Sequence, residues 1–198
     1  MWKFSELKEA RMPRVITGRY RGAVLAAPKG DSTRPTTDKV KEAIFSSIQG
    51  RIDGCCFLDL FSGTGQMGIE ARSRGASKVV LVDKGMPAIA VIRRNLEKLR
   101  IGKDDPDLRV LKMSATAALE SLKDERFDIV YLDPPYKIAH EEAVKVADIL
   151  NRYDMLNDGG LMIVEHSSEE PFNTDVINMK LSRSCSYGLC VVTFFSKN

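Results

Sequence analysis

The stretch YLDPPYK, residues 131–137, places an acid, two prolines and an aromatic ring directly after an apolar run. Because prolines fix the backbone angle φ and carry no N–H, we expect this peptide to be rigid, with carbonyl groups free to accept hydrogen bonds. The Asp133 carboxylate and the Pro134 carbonyl can then accept the hydrogens of an exocyclic amine on a planar base, while Tyr136 stacks on that base. The motif predicts four catalytic residues: Asp133, Pro134, Pro135 and Tyr136. On the local sequence alone, a strand-end turn with Tyr136 packed on the sheet is the alternative.

A second motif, LDLFSGTGQMG, places Asp59 before three glycines, Gly63, Gly65 and Gly68. Glycines permit a tight turn and let a ligand approach the backbone. The spacing satisfies G-x-G-x-x-G, and Asp83 follows at the end of the next predicted strand, where a carboxylate can accept hydrogen bonds from ribose hydroxyls. The pattern predicts a nucleoside-bearing cofactor, and a glycine turn that only packs helix on strand is the alternative.

The position of Asp59 distinguishes between two such cofactors. A pyrophosphate gains from a helix N-terminus but is repelled by a carboxylate close by, whereas an α-ammonium group is attracted to that carboxylate. S-adenosylmethionine carries this ammonium together with a ribose and an adenine. We therefore favour the methyl donor over NAD, which stays open as the second reading.

Composition sets the broad class. The 198 residues are 43% hydrophobic and 29% charged, which is typical of a soluble globular protein, and no apolar run approaches the roughly 20 residues that span a bilayer. The four cysteines and two histidines lack the spacing of a zinc or redox site. We expect a cytoplasmic protein with free thiols and no metal.

Positive charge is concentrated near the amino terminus. Residues 1–51 carry 11 Lys/Arg and 5 Asp/Glu, although the net charge of the whole chain is only +3. Such an excess suggests a surface that faces a polyanion. A solvated basic face without a partner is an equal alternative on charge alone.

The elements that position these motifs alternate along the chain. Apolar runs predict strands at 56–61, 78–83, 108–113, 127–133 and 160–166, and helical patterns lie between them. Strands that are apolar throughout are typical of a parallel sheet covered by helices on both faces. Two β-rich runs near the carboxyl terminus, which meet around residues 186–188, predict an antiparallel hairpin. The fold class is therefore α/β, with a doubly wound, mostly parallel, seven-stranded sheet.

The amino-terminal quarter predicts a separate appendage. Residues 14–28 have the pattern of a small β-hairpin around Gly18 and Gly22, and residues 38–48 that of a helix, which Thr36 or Thr37 can cap. We divide the chain into an extension of uncertain status at 1–11, a basic appendage at 12–50 and a catalytic domain at 51–198.

The two motifs, in this order, resemble those of S-adenosylmethionine-dependent methyltransferases that modify exocyclic amines and carry [DNS]-P-P-[YF]. With RVITGRYRGAVLAAPKG, TRPTTDKVKEAIFSSI and VDK added, the chain is similar to the bacterial ribosomal RNA guanine-N2 methyltransferases of the RsmD type, from Arg14 to about its end. The resemblance implies a Rossmann-like class I methyltransferase that methylates the N2 amine of a guanine in 16S ribosomal RNA, within the small subunit or an assembly intermediate. We expect a monomer.

The same resemblance implies the remaining site residues. Asp59, Gly63 and Gly65 would hold the methionine moiety and Asp83 the ribose, and the full cofactor set is Asp59, Phe61, Gly63, Gly65, Asp83, Lys84 and Ser114. Ser114 stands where the family usually has an acid for the adenine amine, so this contact departs from the pattern. The predicted RNA-phosphate contacts are Arg14, Arg19, Arg21 and Arg34.

Three other functions compete with this reading. A DNA adenine-N6 methyltransferase also uses D-P-P-Y, but no segment here is large enough for a separate target-recognition region. A nicotinamide-dependent oxidoreductase would leave Asp59 and the two prolines unexplained. A non-catalytic RNA-binding protein on the same fold would not need both motifs intact.

Overall fold

The computed structural model describes residues 12–27, 37–101 and 105–197, and the predicted extension at 1–11 lies outside this part. A seven-stranded sheet runs through it in the order β3-β2-β1-β4-β5-β7-β6. The strands are β1 Cys56–Leu60, β2 Lys78–Asp83, β3 Leu108–Lys112, β4 Phe127–Leu132, β5 Leu156–Ser167, β6 Lys180–Tyr187 and β7 Cys190–Ser196.

Helices cover both faces of the sheet. They are α1 Asp38–Ser47, α2 Gln49–Ile52, α3 Gln66–Ser73, α4 Met86–Lys98, α5 Ala115–Ser121 and α6 Ala139–Arg152, with short 3₁₀ helices at Tyr136–Ile138 and Thr174–Val176. One core cluster joins α1, α3 and α4 to the sheet through side chains such as Phe45, Ile69 and Ile92. The other joins α5 and α6 to the opposite face through Leu119 and Val146. No helix of the described residues is both long enough and apolar enough to cross a bilayer.

The strand pairing confirms the predicted doubly wound sheet. The five strands β1 to β5 pair in parallel, whereas β7 runs antiparallel to both β5 and β6. The central strands β1, β2 and β4 are buried on both faces because helices pack on each side. Since β1 lies between β2 and β4, the chain reverses its winding there, and the carboxyl ends of these strands open the crevice where ligands bind in such sheets.

The predicted strand boundaries agree with the structure to within one residue, except at the start of β5. Strand β5 begins at Leu156, before the expected start at residue 160, because Leu156 pairs with Phe127 ahead of a register shift. The predicted amino-terminal hairpin pairs through a single antiparallel bridge, Arg14 with Val24, and not through two full strands. Its tip turns sharply at Gly18, which has φ +86° and lies so close to the Ser73 carbonyl that a Cβ would clash.

The amino-terminal segment packs into the same core as the sheet. Val15 and Leu25 are only 1% and 0% exposed and belong to the cluster that also holds α1, α3 and α4. Helix α1 starts at Thr37, whose hydroxyl accepts a hydrogen bond from the Val40 N–H at 3.4 Å, so one of the two predicted caps is confirmed. The division of the chain at residue 50 stays a prediction.

A buried charge network also fastens this segment to α3. The fully buried Glu70 carboxylate accepts hydrogen bonds from the Ile16 N–H at 2.7 Å and the Thr17 N–H at 3.0 Å. It also accepts from Arg74 Nε at 2.7 Å and lies 3.9 Å from the Nζ of the fully buried Lys41. Burial lowers the pKa of Lys41, while the Glu70 charge opposes that shift. Lys41 Nζ also lies 3.7 Å from Oδ1 of the partly exposed Asp38, so loss of the Glu70 charge would leave a buried cation without its buried partner.

Candidate active site

The glycine motif forms the loop between β1 and α3. Three of its residues have positive φ angles, 63° at Phe61, 55° at Gly63 and 76° at Gly65. A non-glycine residue pays for this conformation, so the loop must be held by its surroundings at Phe61. A Cβ added to Gly63 would meet no atom closer than 4.0 Å, so the loop leaves open space there. Such space is what the approach of a ligand to the backbone requires.

Asp59 lies beneath this loop and is only 1% exposed. Its Oδ2 accepts a hydrogen bond from the Gly68 N–H at 2.9 Å, in the first turn of α3. Gly68 packs so tightly that a Cβ would lie 2.3 Å from a methyl group of Leu81. The third glycine therefore lets helix α3 approach the sheet closely enough for this bond to form.

Burial raises the pKa of the Asp59 carboxyl to about 7. The Gly68 N–H bond opposes the shift, and the charge of Asp83 adds to it. A carboxyl in this state gains most from a cation that comes close, because the cation offsets the cost of burying its charge. This property suits the predicted role of Asp59 toward an α-ammonium group, which stays a prediction.

Asp83, the last residue of β2, contacts the same loop. Its Oδ2 accepts from the Gly63 N–H at 3.0 Å, and its Oδ1 accepts from the Gly85 N–H at 2.8 Å. Each carboxylate oxygen has a second lone pair, so both can still accept a hydroxyl hydrogen. The structure thus brings together the acid and the glycine that the sequence predicted for one cofactor.

The other two predicted cofactor residues lie next to Asp83. Lys84 follows it directly and is exposed. The Met113 N–H donates to the Asp83 carbonyl at 3.2 Å, which holds the end of β3 beside β2. Ser114 comes next and caps α5, with its hydroxyl accepting from the Ala117 N–H at 3.3 Å. Its position fits the predicted adenine end of the site, although its hydroxyl is already used by the helix.

The D-P-P-Y motif forms the turn that leaves β4. The Asp133 N–H donates to the Leu60 carbonyl at the end of β1, at 3.4 Å, so this turn lies directly beside the glycine loop. Asp133 is half-buried, Pro134 is buried and Pro135 is exposed. A 3₁₀ helix begins at Tyr136, closed by a bond from the Ile138 N–H to the Pro135 carbonyl at 2.9 Å. The two motifs therefore meet at the carboxyl ends of the neighbouring parallel strands β1 and β4.

Glu165 binds the hydroxyl of Tyr136, and its role was not predicted from the sequence. Its buried carboxylate accepts hydrogen bonds from the Tyr131 hydroxyl at 2.8 Å and from the Tyr136 hydroxyl at 3.4 Å. Burial raises the pKa of Tyr136, and the Glu165 charge adds to the shift, so the phenol remains a neutral donor. Burial and Glu165 likewise raise the pKa of the neighbouring Cys190 thiol. A single acid within the apolar run LMIVEH was the available signal.

The predicted RNA-binding arginines are spread over the surface. Arg14 is exposed but forms an ion pair with Asp38, with Nε and Oδ2 2.7 Å apart. Arg19 and Arg21 are exposed on the hairpin tip, which binds to Ser73 at the last residue of α3. They therefore lie at the opposite end of α3 from the glycine loop. Arg34 lies outside the described residues.

A doubly wound sheet with a glycine loop at β1, an acid at the end of β2 that contacts this loop and a D-P-P-Y turn at β4 defines a class I methyltransferase. S-adenosylmethionine is the methyl donor of this class, as the sequence predicted.

Comparison with known proteins gives the family. The family model described as Conserved hypothetical protein 95 matches residues 13–196, and the chain belongs to this family, the RsmD family. The YlbH protein of Bacillus subtilis (strain 168) is 38% identical over 187 residues, which cover 93% of this chain and 98% of that protein. Ribosomal RNA small subunit methyltransferase D of Escherichia coli (strain K12) is 32% identical over 170 residues, covering 86% and 82%. The solved structure of yhhF from Escherichia coli has a TM-score of 0.77 at 26% identity, covering 94% and 98%.

Proposed function

We propose that this protein transfers a methyl group from S-adenosylmethionine to the exocyclic N2 amine of a guanine in small-subunit ribosomal RNA. The observation that carries the proposal is the contact between the two motifs, where the Asp133 N–H donates to the Leu60 carbonyl at the start of the glycine loop. An amine held by the D-P-P-Y turn would lie next to a methyl donor held by the loop. The name of the Escherichia coli relative supports ribosomal RNA as the substrate.

The D-P-P-Y turn has the groups that such a reaction needs. The lone pair of an exocyclic amine is delocalised into the base, so the amine is a weak nucleophile. Hydrogen bonds from its N–H groups to Asp133 and to the Pro134 carbonyl favour a pyramidal nitrogen with an available lone pair. Bound S-adenosylmethionine supplies a methyl carbon already activated by its sulfonium. Asp133 or water would accept the proton that the nitrogen loses on methylation, and the donor would leave as S-adenosylhomocysteine.

Tyr136 would complete the base site. Aromatic side chains stack on nucleotides that have left a helix, and such stacking is independent of base identity. The hydroxyl of Tyr136 is held by Glu165, so the ring is fixed at its far end while its face can meet the base. The Tyr136 ring would therefore position the base, and the acceptors at Asp133 and Pro134 would select a base that carries an exocyclic amine.

Analysis of the methylated nucleoside tests the proposal most directly. Small ribosomal subunits from a strain that lacks the modification would be incubated with the protein and labelled S-adenosylmethionine, then digested and examined by mass spectrometry. We expect N2-methylguanine as the product. N6-methyladenine would overturn the base assignment in favour of the adenine-N6 reaction class, and absence of label in RNA would overturn the substrate.

Substitution of Asp133 tests the catalytic turn. We expect Asp133→Ala to reduce turnover by ~100-fold or more while S-adenosylhomocysteine binds as before, because the lost carboxylate orients the amine and not the cofactor. Asp158→Ala is the matched control, since Asp158 is a fully exposed acid near the amino end of β5, whereas Asp133 follows the carboxyl end of the parallel strand β4. If Asp133→Ala turned over at the wild-type rate, the D-P-P-Y motif would be a packing turn without a catalytic role.

A further inference from the structure

Asn95 is a buried polar residue that binds two separate segments of the chain. It lies in α4 and is 0% exposed. Its Oδ1 accepts a hydrogen bond from the Ala26 N–H at 2.7 Å, and its Nδ2 donates to the Ala26 carbonyl at 3.1 Å. The same Nδ2 donates to the Thr64 carbonyl at 2.9 Å, inside the glycine loop. One side chain therefore joins residues 12–27 to the loop that would hold the cofactor.

This arrangement is more than α4 needs for packing. Neighbouring positions of the helix, Ile92 and Leu96, pack on the core with apolar side chains. Burying an amide in such surroundings is unfavourable unless its donors and acceptor are all paired. Each group of the Asn95 amide is paired, and all its bonds go to main-chain groups outside α4. The three bonds can therefore form together only when residues 12–27 and the glycine loop have this relative position.

The bond to Thr64 fixes one peptide group of the glycine loop from both ends. The Thr64 carbonyl is held by Asn95, and the adjoining Gly65 N–H donates to the Ser62 carbonyl at 2.7 Å. The peptide between Ser62 and Gly63 is held as well, because the Gly63 N–H donates to Asp83. A loop with positive φ angles at both glycines has many other conformations available, and these bonds select one of them before any ligand arrives.

We propose that Asn95 is a positioning residue that keeps the glycine loop in its cofactor-binding conformation and couples it to residues 12–27. The inference rests on the proposed function, because it concerns the S-adenosylmethionine site of the same reaction. Asn95 itself need not touch the cofactor. Without it, the loop would have to be ordered at the moment of binding, and the affinity for the cofactor would fall by the cost of that ordering.

Two substitutions and a matched control separate this role from simple stabilisation. Asn95→Ala removes all three bonds. Asn95→Asp keeps the acceptor for the Ala26 N–H but loses the donor to the Thr64 and Ala26 carbonyls. Ser73→Ala is the control, because the buried Ser73 hydroxyl also anchors residues 12–27, through Thr17 at 2.6 Å and Tyr20 at 2.9 Å, without touching the glycine loop.

Calorimetry with S-adenosylhomocysteine gives the decisive measurement. We expect both Asn95 variants to bind about tenfold more weakly than the wild type, and Ser73→Ala to stay within about twofold, although Asn95→Ala and Ser73→Ala both lower the melting temperature. Wild-type affinity in the Asn95 variants would overturn the inference and leave the proposed function intact. Equal weakening in Ser73→Ala would also overturn it, since docking of the segment alone would then set the affinity. If the wild type binds no S-adenosylhomocysteine, the proposed function itself fails.

A second measurement needs no variant. In the wild-type protein without ligand, we expect the Gly65 amide to exchange slowly with solvent hydrogen, because its bond to Ser62 persists when the Thr64 carbonyl is held. Fast exchange that slows only when S-adenosylhomocysteine is added would mean that the ligand orders the loop, and would overturn the role of Asn95 even where its variants fail to fold.

Discussion

Binding of the cofactor should release a proton from Asp59. In the ligand-free protein, burial raises the pKa of this carboxyl to about 7, so at neutral pH about half the molecules carry it protonated. The α-ammonium of a bound S-adenosylhomocysteine would favour the ionised form, because opposite charges at short range lower the pKa of an acid. The ligand would therefore bind better to the ionised protein, and binding would depend on pH.

The size of the effect follows from the pKa. A carboxyl with a pKa of about 7 is about 10% ionised at pH 6 and about 90% ionised at pH 8. If only the ionised form binds the ammonium well, the Kd for S-adenosylhomocysteine should be about tenfold higher at pH 6 than at pH 8. At pH 7, binding should release about half a proton.

Isothermal titration calorimetry in two buffers with different ionisation enthalpies measures both quantities. Asp59→Asn is the control, because the amide keeps an oxygen for the Gly68 N–H but cannot ionise. We expect its affinity to be low and independent of pH. A wild-type Kd that is unchanged between pH 6 and pH 8, or an equal pH dependence in Asp59→Asn, would refute the role of Asp59.

The same pKa predicts the pH dependence of stability. Because the pKa of Asp59 in the folded protein lies above the ordinary aspartate value of 3.8, the folded state binds this proton more tightly than the unfolded chain. The contribution of Asp59 to the free energy of unfolding should therefore decrease as the pH rises from about 4 to about 7 and stay constant above that. Chemical denaturation of the ligand-free protein should show a weaker decrease in Asp59→Asn.

Two further predictions concern buried acids. Glu165→Gln should lower kcat/KM for RNA about tenfold without changing the affinity for S-adenosylhomocysteine, because Tyr136 loses its charged acceptor. Tyr131→Phe serves as the control, because it removes the other bond to Glu165. Unchanged RNA kinetics in Glu165→Gln would exclude a role of Glu165 in the base site. Glu70→Gln should lower the free energy of unfolding by about 3 kcal/mol in urea titrations, because Lys41 then stays buried beside a neutral partner, and a loss below about 1 kcal/mol would contradict this reading of the network.

The fold could be predicted because its signal is local. Each central strand is buried on both faces and is therefore apolar throughout, and each is followed by a helical pattern, which together specify a parallel sheet. The start of β5 could not be predicted, because Leu156 joins the strand through its pairing with Phe127 and a register shift that depends on the neighbouring strand. Local sequence carries no information about that neighbour.

The site was predictable to the extent that it lies at strand ends. Asp83 and Gly63 meet because their strands are parallel neighbours, and Asp133 meets the end of β1 for the same reason. Glu165 is different, because its role depends on the lateral order of β4, β5 and β7, which brings Tyr131 and Cys190 to either side of it. The run LMIVEH predicts that Glu165 is buried but does not predict which residues contact it.

The positive charge of the amino-terminal quarter shows most clearly that composition does not give the positions of the charged side chains. The excess of Lys and Arg predicts contacts to RNA, yet the hairpin tip with Arg19 and Arg21 binds to the last residue of α3. A helix of 8 residues is about 12 Å long, so these arginines lie about that far along α3 from the glycine loop. If they contact phosphates, those phosphates would lie near the end of α3 that is remote from the glycine loop and would belong to nucleotides other than the target. Phosphate contacts that distant would fix the position of the RNA, and the choice of base would rest with the D-P-P-Y turn.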